Sequence, residues 1–193
     1  MTILKSFAVG SAIAFLFAST AIAQEEHVGP ITDYVNANVV PWLSDPVVVG
    51  AVLAQNAKNA ALAQADIDAL DKQWRAEIDA ASKPLIDATM GNDLSKFLAQ
   101  KREASAGLIT EAFVMDAKGL NVGQSDVTSD YWQGDEAKWQ KSFGAGPGAI
   151  FVDEVEKDES TQSLQSQVSI AISDPATNQV IGAITLGIDV DGL

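Results

Sequence analysis

Residues 108–125 read LITEAFVMDAKGLNVGQS, and this stretch decides the fold. Leu108 to Met115 and Leu120 to Ser125 are rich in apolar and β-branched residues, and they flank Asp116-Ala117-Lys118-Gly119. Two such runs around a short turn ending in glycine read as a β-hairpin. Asp116 and Gly119 need no role beyond the turn itself. Three more strands follow, at Ala149 to Lys157, Ser163 to Ser173 and Val180 to Val190, the last two joined across Asp174-Pro175-Ala176-Thr177-Asn178-Gln179. Parallel neighbours need long crossovers, so short turns make these strands antiparallel.

Upstream of residue 105 the period is helical. Ile31, Tyr34 and Val35 share a face, in a segment that should stop before Pro41. Asp45-Pro46 offers a cap and a first-turn proline for a helix through Val47, Val48, Ala51 and Val52. Ile67, Leu70, Trp74 and Ile78 form an apolar stripe within Asp66 to Ala80. The break between these two runs is weakly marked, so one long helix is the alternative to two. A short helix from Pro84 to a left-handed glycine cap at Gly91, and another from Leu94 towards Arg102, complete the section. The expected class is α+β: a long N-terminal helical section packed on a five-stranded antiparallel sheet. Between the second and third strands, Trp132, Glu136, Trp139 and Phe143 fall on one face if Tyr131 to Phe143 is helical.

The first residues carry an address. Lys5 precedes an uncharged run from Ser6 to Ala23 that closes on Ala21-Ile22-Ala23, the pattern of a cleaved export signal. Residues 1–23 are therefore expected to be a signal peptide, an uncleaved anchor being the alternative, and 24–193 one domain in the periplasm. Both signs of charge are present, but 26 acids against 12 bases give a net charge of −14. Such a surface repels phosphate backbones and anionic lipid, and disfavours nucleic acid and membrane surfaces as partners. It suits solubility, and it tolerates a cationic ligand. No cysteine is present, which excludes disulfides and thiolate metal sites.

Catalysis has little to stand on. His27 is the only histidine and lies just past the cleavage point, in a terminus expected to be mobile. No G-x-S-x-G, phosphate loop or H-E-x-x-H occurs. The acidic run Asp153-Glu154-x-Glu156-x-Asp158-Glu159 lacks the spaced pattern of a calcium loop and reads as a solvated strand end. No enzyme, metal or cofactor is expected.

The order of elements, the Phe113-Val114-Met115-Asp116-x-x-Gly119 hairpin, the segment Ser129-Asp130-Tyr131-Trp132-Gln133-Gly134-Asp135 and the run Ile181-Gly182-Ala183-Ile184 together resemble the Cache (PDC, PAS-like) extracellular sensor domains. The resemblance implies a small-molecule pocket between the sheet and a covering segment, here Asp130 to Trp139. It also implies a ligand-clamping arginine after the tyrosine, whereas this chain carries Asp135 and Glu136. A carboxylate there would repel a ligand carboxylate and favour an amine or zwitterion. The chain ends directly after the last strand, and so resembles a stand-alone sensor domain signalling through a partner.

The candidate ligand residues follow. Tyr131, Trp132 and Trp139 could build an aromatic box with Asp135 beside it; alternatively Trp139 is core. Val168, Ile170 and Ile172 point to one side of their strand, and Gln165, Gln167 and Ser169 to the other. That polar row faces water or, with the small Ala183, Thr185 and Gly187 beside it, floors a pocket. The alternative function is an exported interaction or accessory protein for a membrane sensor or transporter, with an exposed apolar patch near Val47 and Val48. Pairing of two copies through the N-terminal helix would be a further partner contact.

Overall fold

A computed structural model describes residues 26–157 and 164–193. The predicted leader 1–23 lies outside the described residues, as do Asp158 and Glu159 of the acidic run. The helices are α1 (Val28–Asn38), α2 (Pro46–Asn59), α3 (Gln64–Glu77), α4 (Pro84–Met90), α5 (Asp93–Ala104) and a single turn, α6 (Ala137–Gln140). The strands are β1 (Ile109–Asp116), β2 (Asn121–Gln124), β3 (Ile150–Lys157), β4 (Leu164–Ser173) and β5 (Val180–Asp189). They form one antiparallel sheet in the order β2-β1-β5-β4-β3, giving the expected α+β class.

Local chemistry explains the starts and stops. Asp45 accepts from Val47 N at 2.9 Å and Pro46 opens α2, whose missing N–H is an orphan at that position anyway. Asn92 caps α5, its side chain accepting from Ser95 N at 2.8 Å. The two N-terminal runs are separate helices. Asp66 turns back to accept from Ala63 N at 2.9 Å, and the Lys118 ammonium donates to the Leu62 carbonyl at 3.0 Å. These bonds satisfy the groups that an unbroken helix would have paired.

Three expectations are corrected. Gly91 has φ −82°, a right-handed conformation, because α4 leads straight into the α5 cap without a left-handed turn. His27 is buried rather than mobile, its Nε2 donating to the Asp153 carbonyl on β3 at 2.9 Å. Val48 is fully buried with Val52 against the sheet, so it forms no surface patch.

The sheet has two covered faces. On one, Val114, Val168, Ile170, Ile172, Ile184 and Ile188 meet α1, α2 and α5. Gly182 allows the close approach of α2, since a Cβ there would stand 2.3 Å from the Met115 carbonyl and 3.0 Å from Val52. On the other, Phe113, Met115 and Ala183 lie beneath Trp139 and Phe143. Helices α3 and α4 form a smaller core beyond β2 with Leu120 and Tyr131. No helix among the described residues is long and apolar enough to cross a membrane.

Candidate functional site

The hairpin turn anchors the region. Asp116 is fully buried, and its carboxylate accepts from Lys118 N at 2.8 Å, Leu120 N at 3.0 Å, Asn59 Nδ2 at 2.8 Å and Gln55 Nε2 at 3.1 Å. It therefore ties α2 to the turn as well as closing it. Gly119 has φ +79°, and a Cβ there would stand 2.6 Å from Gly134, so the covering segment crosses the turn at backbone contact.

That crossing also explains why Tyr131 to Phe143 is not one helix. Asn121 N donates to the Tyr131 carbonyl at 3.0 Å and Gln133 N to the Gly119 carbonyl at 2.8 Å. The amides of Tyr131 and Trp132 both donate to Asp71 on α3, at 2.9 and 3.1 Å. Residues 131–133 are thereby held extended beside the hairpin, and the coiling is confined to Ala137–Gln140 and a 3-10 turn that begins at Phe143.

The predicted aromatic box is consequently divided. Tyr131 stacks on Trp74 with centroids 5.1 Å apart, inside the α3–α4 core. Trp132 donates to the Lys118 carbonyl at 2.9 Å and lines a shallow depression with Asp68, Asp71, Lys72, Arg75 and Asp135. Trp139 stacks on Phe143 at 4.7 Å, packs on the sheet and donates to the Asp116 carbonyl at 3.2 Å. The three rings do not share a cavity, because the segment that carries them runs from the α3–α4 core past the hairpin turn to the Phe113–Ala183 layer of the sheet.

Burial shifts the Tyr131 phenol up to about 12, with the Asp116 charge adding to the effect and a hydrogen bond with Thr89 opposing it. The folded state then holds this proton more tightly than the unfolded chain. Stability from Tyr131 is complete below the ordinary value of 10 and is lost as the pH rises towards about 12. Melting curves across that interval should fall less steeply for Tyr131→Phe than for the parent. The Tyr34 phenol, also raised by burial, stays in both proteins.

Only the inner end of the polar row lies under cover. Ser169 and Thr185 are fully buried and share a 2.9 Å hydrogen bond beneath the Trp139 layer. Towards the other end of the strands the row opens into a cleft of about 250 Å³. Gln165 and Gln167 of β4, Asp153, Glu154 and Glu156 of β3, and Glu136 and Lys138 at α6 line it. Gln167 Nε2 donates to Glu111 at 2.9 Å, and Gln165 Oε1 accepts from Thr110 at 2.9 Å. Of the predicted ligand residues, Gln165 and Gln167 thus reach a cleft together, Ser169 and Thr185 are sealed below, and Tyr131, Trp132 and Asp135 lie elsewhere.

Sequence reasoning missed Lys138 as a cleft residue and Asp71 as the clamp on the covering segment. Asp153 and Glu154 are adjacent, so simple alternation would put them on opposite faces. A register shift between Val152 and Val155 lets both line the cleft. Among the described residues no group of three or more His, Cys, Asp or Glu side chains is arranged to hold a metal ion.

The structure is similar to bacterial sensor domains. These include the sensor domain of the V. cholerae histidine kinase DctB (13% identity, TM-score 0.48, covering 84% of this chain and 50% of that one). A second is the ligand-binding domain of the Campylobacter jejuni chemoreceptor Tlp3 in complex with 4-methylisoleucine (16%, 0.41, 84% and 64%). A third is that of the Pseudomonas aeruginosa chemoreceptor PctC in complex with GABA (10%, 0.41, 84% and 62%). The chain spans between half and two thirds of the length of these structures. No protein-family profile and no curated protein sequence matches it.

Proposed function

We propose that this chain is an exported, non-catalytic ligand-binding module of the sensor type, with residues 24–193 as one domain acting in the periplasm. Its ligand is a small organic amine or zwitterion held in the cleft between β3–β4 and α6. The observation that carries this reading is the meeting of an amide floor with carboxylates in one open cleft. Gln165 and Gln167 are each fixed at one end of the amide, which leaves the Gln165 Nε2 and the Gln167 Oε1 to orient a guest. The four carboxylates against one lysine set a potential that attracts a cation.

A thermal-shift screen of residues 24–193 against amines, amino acids and simple carboxylates tests this. A saturating amine or zwitterion should raise the melting temperature by about 5–10 °C, simple carboxylates should not, and Gln167→Ala should abolish the shift while leaving the unliganded protein folded. The reading fails if no compound shifts the wild type, or if Gln167→Ala responds equally.

The accessory-protein reading has one observation in its favour. An apolar groove of about 410 Å³ runs between Val40 and Leu43 on one side and Ile150, Ile170 and Pro175 on the other. A membrane sensor or transporter, or a second copy, would be the partner on that reading.

A further inference from the structure

Lys138 lies inside the candidate cleft in an arrangement that an external amine would also adopt. Its Nζ stands 2.7 Å from Glu136 Oε2 and 5.6 Å from the centroid of the Phe113 ring. The Lys138 side chain is only 15% exposed, although α6 is a surface turn, so its stem folds inward over the sheet rather than out to solvent. Phe113 itself is 2% exposed beneath it. A carboxylate and an aromatic face around one ammonium are the elements of an ammonium cage, in which ring quadrupole and charge act on the same cation.

We propose that Lys138 is a tethered occupant of an ammonium site formed by Glu136 and Phe113, and that an amine ligand enters the cleft by displacing it. This inference rests on the ligand-binding reading of the cleft. The lysine competes intramolecularly, at an effective concentration no free amine reaches easily. It therefore sets a threshold: weak monoamines fail to dislodge it, and ligands that also engage Gln165, Gln167 and the β3 carboxylates succeed. Lys138 is thus a specificity-determining residue, and the site it fills is chemically suited to primary ammonium groups.

The test uses residues 24–193 as wild type and as Lys138→Ala, with n-butylammonium chloride as the probe because it carries the four-carbon stem and primary ammonium of a lysine side chain. n-Butanol at matched ionic strength is the neutral control. Lys138→Ala should bind n-butylammonium saturably, at least about ten-fold tighter than the wild type does, and recover melting temperature as it binds. n-Butanol should do neither, and Lys138→Ala/Glu136→Gln should lose the binding.

Should Lys138→Ala fail to fold, Lys138→Met keeps an apolar stem on Phe113 and must still rank above the wild type. Equal affinity of variant and wild type, equal response to n-butanol, or no binding to a folded variant overturns the inference. A wild type that binds an amine through Gln167, with Lys138→Ala binding n-butylammonium no tighter, sinks this inference alone. Binding by the Lys138 variant that ignores Gln167→Ala, with no wild-type ligand, sinks the cleft reading and leaves the cage.

Discussion

Asp116→Ala should lower stability by about 3 kcal/mol or more, the sum of several buried donors losing their acceptor, and the melting temperature by on the order of 10 °C. The carboxylate is fully buried and receives four N–H donors from the turn and from α2. Gln55 is half-buried and can turn to water, but Asn59 and the Leu120 amide cannot reach it. Asp116→Asn is expected to recover little, because one end of an amide would present N–H groups to donors. Urea denaturation of the three proteins checks this. Equal midpoints for Asp116→Ala and the parent would show that the turn closes without the carboxylate.

Trp74→Ala should be the most costly change in the smaller core, at about 3–5 kcal/mol for a fully buried large ring. Trp74 is 0% exposed, stacks on Tyr131 and donates to the Thr128 carbonyl at 2.8 Å. Losing it removes the surface against which the covering segment rests. Trp74→Phe retains a stacking ring without the N–H and should cost about 1–2 kcal/mol, near the worth of a buried hydrogen bond plus a few atoms. Amide exchange should also accelerate at Tyr131 and Trp132, whose N–H groups depend on Asp71 of the same helix. If Trp74→Ala destabilised the protein with no change at these amides, α3 would not be what holds the segment.

The contrast between these two residues measures how much was legible beforehand. Asp116 was recognisable as a turn former from its spacing to Gly119, and its turn is where expected. Its second task, receiving Asn59 and Gln55 from α2, was not, because those residues are distant in sequence. Trp74 belongs visibly to a helical stripe, whereas its partner Tyr131 reads from the sequence as part of a ligand box. Both surfaces are apolar and of similar reach, and hydrophobic attraction is not directional enough to choose between them from sequence. His27 shows the same limit: a residue beside a terminus is judged mobile until a strand such as β3 offers its carbonyl.

Local chemistry in the chain by itself determined the five strands, most of the helix positions and the α+β class, but not the extended course of residues 131–133, which the hairpin and Asp71 impose. Asp45-Pro46, the Asp116–Gly119 turn and the alternation of Val168, Ile170 and Ile172 act over a few residues, through backbone geometry and a period that folding does not alter. Only the tertiary structure decided what covers each face: Trp139 over Phe113, Tyr131 against Trp74, and Lys138 with Glu136 beside Gln165 and Gln167. Periodicity says which side chains share a face. Which neighbour excludes water from that face depends on how every segment competes to bury its own apolar surface, and that competition is settled in three dimensions.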